Sequence, residues 1–383
     1  MNIAVAQSGG PTCAINASLV GVFKQALKTP EIDAVFGSRN GIEGIIGDDL
    51  VDLKRIIRTN EDMELLRQTP STVLGSCRRK LPEPGGEDAK ALYKKIFECL
   101  EKHRIEAFFY IGGNDSMDTV HKLSQYAEKI GSKISFVGVP KTIDNDLPVT
   151  DHTPGFGSAA KYVTATVQEI IRDSSVYSID SVTIIEIMGR HAGWLTASTC
   201  VLRANDEIAP HLIYLPESDF SAERFLEDVR AERAKHKAVI VAVSEGIELE
   251  DEGARSGVTD NFGHKYLSGV GKALEQLVRE QIGCKVRSIE LNVMQRCSSH
   301  ICSKTDIDEA EQIGSEAVKC AMAGESGVTM IFRRISDKPY VVTIESADTA
   351  LMANQEKFFP AKWITAEGNQ VSDEAIKYFL PAR

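Results

Sequence analysis

Five short apolar runs punctuate the chain, at residues 3–6, 107–111, 134–139, 181–187 and 238–243, with longer amphipathic stretches between them. Each run is continuous in hydrophobicity rather than alternating. That pattern predicts strands buried on both faces, hence parallel strands covered by helices, whereas a sheet with one wet face would alternate. Polar, mostly glycine-bearing turns follow them: Ser8-Gly9-Gly10, Gly112-Gly113-Asn114-Asp115-Ser116, Pro140-Lys141-Thr142-Ile143-Asp144-Asn145-Asp146, Met188-Gly189-Arg190 and Ser244-Glu245-Gly246. In open α/β sheets ligands bind beyond the carboxyl ends of the strands, so the chemistry is expected at these turns. A helix is predicted to start near Ala14. A late one is predicted near Thr305, where Thr305 and Asp308 have capping-box-like spacing ahead of residues 310–322.

A chain of 383 residues, 43% of them hydrophobic, exceeds the usual size of a single core, so two domains are expected. The balance of 44 Lys and Arg against 55 Asp and Glu leaves a net charge of -11. This argues against a general nucleic-acid or membrane-surface binder, and leaves room for a local basic pocket for phosphate. The amino terminus runs into the first strand with no basic residue before Lys24, unlike a signal peptide, and no apolar run is long enough to span a bilayer. The eight cysteines are scattered without a Cys-x-x-Cys pair, and Cys297 and Cys302 lack partners at zinc-ligand spacing. Reduced thiols in a cytoplasm are expected. The acidic stretch Glu248-Leu249-Glu250-Asp251-Glu252 reads as a solvated loop with no assigned role.

Each turn offers chemistry. Ser8-Gly9-Gly10 before a helix presents backbone N–H groups suited to an anion, although a tight turn without a ligand fits as well. Gly112-Gly113-Asn114-Asp115-Ser116 repeats that arrangement and adds oxygen-bearing side chains; Asn114 and Asp115 could serve a magnesium ion or merely cap the following helix. Thr142, Asp144, Asn145 and Asp146 crowd a hydroxyl, two carboxylates and an amide into five positions after a buried strand, a costly arrangement unless satisfied or used. With Asp144 and Asp146 on one side of an extended segment, one can face a substrate hydroxyl while the other orients it or a hydrated metal. Arg78, Arg190, Arg287 and Arg296 suit bidentate holding of phosphate oxygens only as a set.

The order of Gly9-Gly10, Gly75-Ser76-Cys77-Arg78, residues 112–116, residues 140–146, Met188-Gly189-Arg190, Glu245 and Gln295-Arg296 resembles that of the phosphofructokinase family, over residues 1 to about 300. The resemblance implies an α/β fold of two doubly wound, Rossmann-like lobes with crossed-over chain segments. A larger lobe, 1–150 plus about 294–345, would bind the phosphoryl donor, and a smaller one, 151–293 plus about 346–383, the sugar phosphate. It makes Asp144 the base for the 1-hydroxyl of fructose 6-phosphate, with Thr142 and Asp146 holding that hydroxyl and Arg190 beside them. Met188, Gly189, Arg190 and Glu245 match sugar-binding positions, and Arg287 and Arg296 match positions that grip the 6-phosphate. Gly10, Arg78, Asn114, Asp115, Ser116 and Lys141 match the donor site, with Mg²⁺ at Asp115 and Asn114. A homodimer or homotetramer is implied, with sugar sites near subunit contacts.

Two side chains bear on the donor. ATP-dependent members resemble Gly-Gly-Asp-Gly-Ser and Pro-Gly-Thr-Ile-Asp-Asn-Asp, where glycines leave room for the nucleotide's α-phosphate and ribose. Here Asp115 and Lys141 replace those glycines. Asp115 would crowd and repel an α-phosphate, whereas Lys141 adds positive charge beside a compact pyrophosphate. The pair is similar to the pyrophosphate-dependent branch, as is Asp151-His152-Thr153-Pro154-Gly155-Phe156-Gly157-Ser158-Ala159-Ala160-Lys161. The alternative makes Lys141 a surface side chain and Asp115 a helix cap. Other positions depart from the family pattern. Asn114 replaces a metal-associated Asp. Ser181 and Val293 replace an Arg and a His at the sugar phosphate, and Arg296-Cys297-Ser298-Ser299-His300 lacks an Arg-Gly-Gly turn. A differently shaped acceptor pocket follows, open to a larger ketose phosphate such as sedoheptulose 7-phosphate. An ATP-dependent enzyme and a catalytically silent sugar-phosphate-binding subunit are the competing readings.

Overall fold

The computed structural model describes residues 1–205, 207–249 and 269–382, so most of the acidic stretch read as a solvated loop lies outside the described residues. The chain divides into two compact units. The first comprises Met1–Ile143, Leu147–Ser158 and Arg296–Glu356, and the second Asp144–Asp146, Ala159–Gln295 and Lys357–Arg383. The segment 140–146 is therefore itself divided: Lys141 and Thr142 belong to the first unit, Asp144 and Asp146 to the second.

The strands among the described residues are β1 (Asn2–Gln7), β2 (Ala34–Ser38), β3 (Leu50–Asp52), β4 (Ile105–Gly112), β5 (Ser135–Pro140), β6 (Ser181–Ile187), β7 (Leu212–Tyr214), β8 (Ala238–Ser244), β9 (Lys285–Glu290), β10 (Val328–Asp337) and β11 (Tyr340–Asp348). All five expected strands are present, as β1, β4, β5, β6 and β8, and the α/β class is borne out. The first unit holds a seven-stranded sheet in the order β11-β10-β5-β4-β1-β2-β3. It is parallel from β10 to β2, but β3 and β11 close its edges antiparallel, which the continuous apolar runs did not foretell. The second unit holds a four-stranded, all-parallel sheet in the order β7-β8-β6-β9.

Burial explains the unbroken hydrophobicity of the first run. On β1, Ile3 and Val5 pack with Leu19, Val22 and Phe23 of the helix Ile15–Lys28 and with Ile313 and Ala317 of the helix Lys304–Met322. Ala4 and Ala6 point the other way, into a cluster with Tyr93, Ile96, Val120 and Leu123 from the helices Glu87–Lys102 and Asn114–Ile130. Both faces of the strand are dry, as in doubly wound sheets. The helices 15–28 and 304–322 meet through glycines: a Cβ on Gly21 would fall 1.9 Å from the Glu311 carbonyl oxygen, and one on Gly314 2.1 Å from that of Ser18.

Helix starts are set by side chains that the simple spacing rule did not single out. Thr12 Oγ1 accepts from the N–H groups of Ala14 and Ile15 at 3.2 and 3.0 Å, supplying the cap that Ala14 lacks. The late helix is capped by Ser303, not Thr305; the Ser303 hydroxyl accepts from the Asp306 N–H. The box does not close, because the buried Asp306 carboxylate turns to the start of the helix Phe156–Ser175, accepting from Gly155 N at 2.8 Å and Ser158 Oγ at 2.5 Å. One carboxylate thus satisfies orphan donors at a helix N-terminus far away in sequence.

Candidate active site

In the first unit the chain leaves β1 toward β2 on one side, while β4 and β5 lie on the other. The carboxyl ends of β1 and β4 therefore flank a topological switch point, where a ligand crevice is expected. The turns there are stitched together by their own backbones. Ser8 N donates to Ile111 O at 2.9 Å, Gly9 N to Cys77 O at 3.1 Å and Lys141 N to Gly112 O at 2.9 Å. Ser76 Oγ donates to Gly9 O at 2.6 Å, which ties the Gly75-Ser76-Cys77-Arg78 turn to the first glycine turn.

Lys141 lies at the centre of this group. It is 2% exposed, and its Nζ donates to the Gly10 carbonyl at 2.7 Å. Gly9 has φ +75°, and a Cβ there would sit 3.2 Å from that Nζ, so the glycine meets both a backbone and a space requirement. Arg296 joins the same unit, its Nε 4.0 Å from where a Gly10 Cβ would lie. The reading of Lys141 as a surface side chain is excluded by its burial. Helix-capping by Asn114 and Asp115 is excluded too: the helix Asn114–Ile130 already contains both, and its N-cap is Gly113, without a side-chain cap bond. A helix N-terminus placed here suits an anion. Ser116 is buried behind Gly112, where a Cβ would strike its Oγ at 1.9 Å. The Asp115 carboxylate is 40% exposed and pairs with Lys80 at 3.0 Å. Arg78 is exposed on the neighbouring turn.

Thr142 is held by the segment that follows in the first unit. Its N–H donates to Pro154 O at 3.2 Å, and its carbonyl accepts from Thr153 Oγ1 at 2.8 Å. Next to Thr153, buried His152 lies between two carboxylates, Asp151 at 2.9 Å and Glu309 at 2.7 Å, stacked on Phe332. Tyr340 Oη donates to Glu309, and Arg334 to Asp151. Burial opposes a charge on His152, but the hydrogen bonds and charges of Asp151 and Glu309 prevail and lift its pKa from 6.5 to about 9. A raised histidine pKa stabilises the fold below the unfolded value, and that contribution is lost as pH rises from 6.5 through 9, by about 3 kcal/mol in total. The melting temperature should accordingly fall over that interval. His152→Gln should lower it at neutral pH and flatten the slope; an equal slope in the variant would refute the assignment.

In the second unit the ends of β6 and β8 lie side by side. Glu245 N donates to Ile187 O at 2.9 Å, Gly189 N to Glu245 Oε1 at 3.4 Å, and Ser244 Oγ to Gly189 O at 2.5 Å. Met188 N donates to Gln295 Oε1 at 3.2 Å. Gly246 is obligatory, since a Cβ there would meet the Arg190 carbonyl oxygen at 1.9 Å. The Glu245 carboxyl is raised to about 7, first by burial and next by the negative charge of Asp144, against the Gly189 N–H and Arg190. Asp144, Met188, Gly189, Arg190 and Glu245 are thus one group. Beside it a cavity of about 340 Å³ is lined by Arg190, His191, Asp219, Phe220 and Glu248 among others, within the size range of small-molecule sites.

Arg287 is not brought to this group. It stands on β9 opposite Thr183, near the start of β6, with its guanidinium on Asp173 at 2.8 Å. Ser181 opens β6, and Val293 is exposed. The residues that sequence reasoning missed include Lys357, Tyr378, Trp194 and Glu217, which surround the second unit's site segments, and the His152 network. His152 stood within a segment already singled out, and a histidine flanked by Asp and Thr after a site motif was its available signal. As for metals, Asp115 offers a hard oxygen close to a helix N-terminus. Asp48, Cys99 and His103 bring ligand-type atoms within 4.8 Å of one another, but Lys102 and His103 already occupy the Asp48 carboxylate.

Glycine turns and a helix N-terminus at a switch point, with a buried lysine among them, define a phosphate-handling α/β protein. The chain belongs to the phosphofructokinase family, whose model, described as "Phosphofructokinase", matches residues 2–321. It is 40% identical over 385 residues to the pyrophosphate–fructose 6-phosphate 1-phosphotransferase of Methylococcus capsulatus, covering 99% of this chain and 91% of that protein. The enzyme of the same description from Halomonas elongata is 38% identical over 385 residues, with the same coverage. The crystal structure of a pyrophosphate-dependent phosphofructokinase from Nitrosospira multiformis matches with a TM-score of 0.87 at 35% identity, covering 100% of this chain and 91% of that one.

Proposed function

We propose that this chain transfers a phosphoryl group reversibly from pyrophosphate to the 1-hydroxyl of fructose 6-phosphate, giving fructose 1,6-bisphosphate and phosphate. The observation that carries the donor is Lys141: an ammonium buried against the Gly9-Gly10 turn, where an ATP-dependent enzyme needs room. In this reading the first unit's turns and helix N-terminus hold pyrophosphate, helped by Arg78, Ser116 and Arg296. In the second unit Met188, Gly189, Arg190 and Glu245 hold the sugar. Asp144 takes the proton of the 1-hydroxyl as its oxygen bonds to phosphorus and the bridging P–O bond breaks, releasing phosphate. Thr142 and Asp146 hold that hydroxyl. The remaining catalysis is positioning and charge neutralisation.

Asp115 fits Mg²⁺, a hard cation that takes one or two carboxylates and completes its shell with phosphate oxygens and water. With Asn114 beside it, Asp115 would hold the ion, which when bound draws charge from the transferring phosphoryl oxygens. Arg287, half-exposed and off the sugar group, suits a homo-oligomer with sugar-phosphate sites near subunit contacts. The cavity beside Arg190 leaves room for a longer ketose phosphate. All eight cysteines are free thiols, which suits a reducing cytoplasm.

The deciding assay supplies fructose 6-phosphate and magnesium with either donor and follows the bisphosphate. Turnover with pyrophosphate and little with ATP is expected. Robust turnover with ATP alone would sink the donor reading, and binding of fructose 6-phosphate without turnover under either donor would favour a silent subunit.

A further inference from the structure

The Asp144–Asp146 segment is gripped, inside the second unit, by residues from the far end of the chain. Asn145 is fully buried with a left-handed backbone, φ +54°. Such a conformation persists in a non-glycine residue when its surroundings over-determine it, and asparagine accepts it best. Its carboxamide is held at both ends: Nδ2 donates to Tyr378 Oη at 2.8 Å, and Oδ1 accepts from Lys357 Nζ at 3.3 Å. The Lys357 backbone N–H donates to the Asp146 carbonyl at 2.6 Å.

Lys357 is itself locked in place. Trp194 Nε1 donates to its carbonyl at 2.9 Å, and the indole ring lies 4.9 Å from its ammonium. Two residues later the Phe359 N–H donates to Glu217 at 2.7 Å, and the same carboxylate accepts the Gly193 N–H at 3.0 Å. Gly193 and Trp194 close the turn that opens at Met188. Residues 357–359 therefore tie the segment bearing Asp144 to the turn bearing Arg190. Both Lys357 and Tyr378 lie beyond residues 2–321, the stretch matched by the family model.

We propose that Lys357 and Tyr378 are positioning residues for the base: through Asn145 they fix the direction of Asp144, and the Lys357 cation, bonded to the residue between Asp144 and Asp146, biases those two carboxylates toward the ionised form. This rests on the reading of Asp144 as the base. A base must be held to a fraction of an ångström, and a misplacement of ~1 Å can cost ~10²-fold in rate. A cation near a carboxylate favours its charged form.

The test compares full-length Lys357→Met, Lys357→Arg, Tyr378→Phe and Asn145→Gly with Asp144→Asn in steady-state assays with pyrophosphate, fructose 6-phosphate and magnesium across the neutral pH range. Lys357→Met should lower kcat roughly 10- to 100-fold, leave KM for pyrophosphate within about twofold, and move the acid limb of the kcat profile to higher pH. Lys357→Arg should recover most of kcat and the acid limb. Tyr378→Phe keeps the ring between Trp194 and Trp363 and loses only the hydroxyl, so a smaller fall in kcat is expected, with the modest fall in melting temperature that an unpaired Asn145 amide brings. Asn145→Gly relieves the backbone but removes both grips, and should lose activity too. Wild-type kcat and pH profile in Lys357→Met and Tyr378→Phe, with Asp144→Asn inactive, would overturn this inference alone. Equal losses in Lys357→Met and Lys357→Arg with an unmoved pH profile would also overturn it. Wild-type kcat in Asp144→Asn would instead overturn the base on which it rests.

Discussion

Replacing Asp144 by Asn should lower kcat by roughly 10²–10⁴ while leaving fructose 6-phosphate bound, because the amide keeps the shape and loses the proton acceptor. Asp144 belongs to the second unit with Met188, Arg190 and Glu245, and its charge already reaches Glu245, whose carboxyl it helps hold at about 7. That contact gives the substitution a second readout. Removing the negative charge favours ionised Glu245, so the Glu245 pKa should fall in the variant, as followed by carboxyl-carbon NMR or by the pH dependence of sugar binding. Wild-type turnover in Asp144→Asn would dismiss it as the base. An unmoved Glu245 would contradict the shared site even if turnover were lost.

The parts of the fold that could be read in advance are those whose side chains face the core on both sides. β1, β4, β5, β6 and β8 are central strands, and their unbroken apolar runs state that burial directly. β11 alternates between half-buried and exposed positions along an edge, and β3 and β7 are three residues long, too short to show a period. The site followed the same division. Turns immediately after central strands were legible because topology alone sends ligands there. The grip of Lys357 and Tyr378 on Asn145 joins positions more than two hundred residues apart, and no local spacing encodes it. The His152 clamp reaches Glu309 for the same reason. Arg287 shows the converse: a residue type carried over by order along the chain stands on β9 opposite Thr183 and away from the Met188 turn, because position in a strand, not order, decides where its guanidinium goes.

Lys141→Gly is expected to reduce kcat/KM for pyrophosphate by about 10²–10³ with little change in KM for fructose 6-phosphate, the loss typical of one fixed donor to a developing phosphate charge. The ammonium is buried against the Gly10 carbonyl, so it is already aimed and partly desolvated, and little ordering is left to be done when the donor binds. Asp115 works in the opposite sense. It stands in the first turn of the helix Asn114–Ile130, where in the proposed reading its charge would repel an α-phosphate, tempered by Lys80 at 3.0 Å. Asp115→Gly together with Lys141→Gly should therefore weaken pyrophosphate use and admit some turnover with ATP, because both the repulsion and the obstruction go. Asp115→Gly alone should do less, since Lys141 still fills the space beside Gly9 and Gly10. If the double variant keeps the donor preference of the parent, donor choice is not set by these two side chains, and the steric account of Lys141 is wrong even where pyrophosphate remains the substrate.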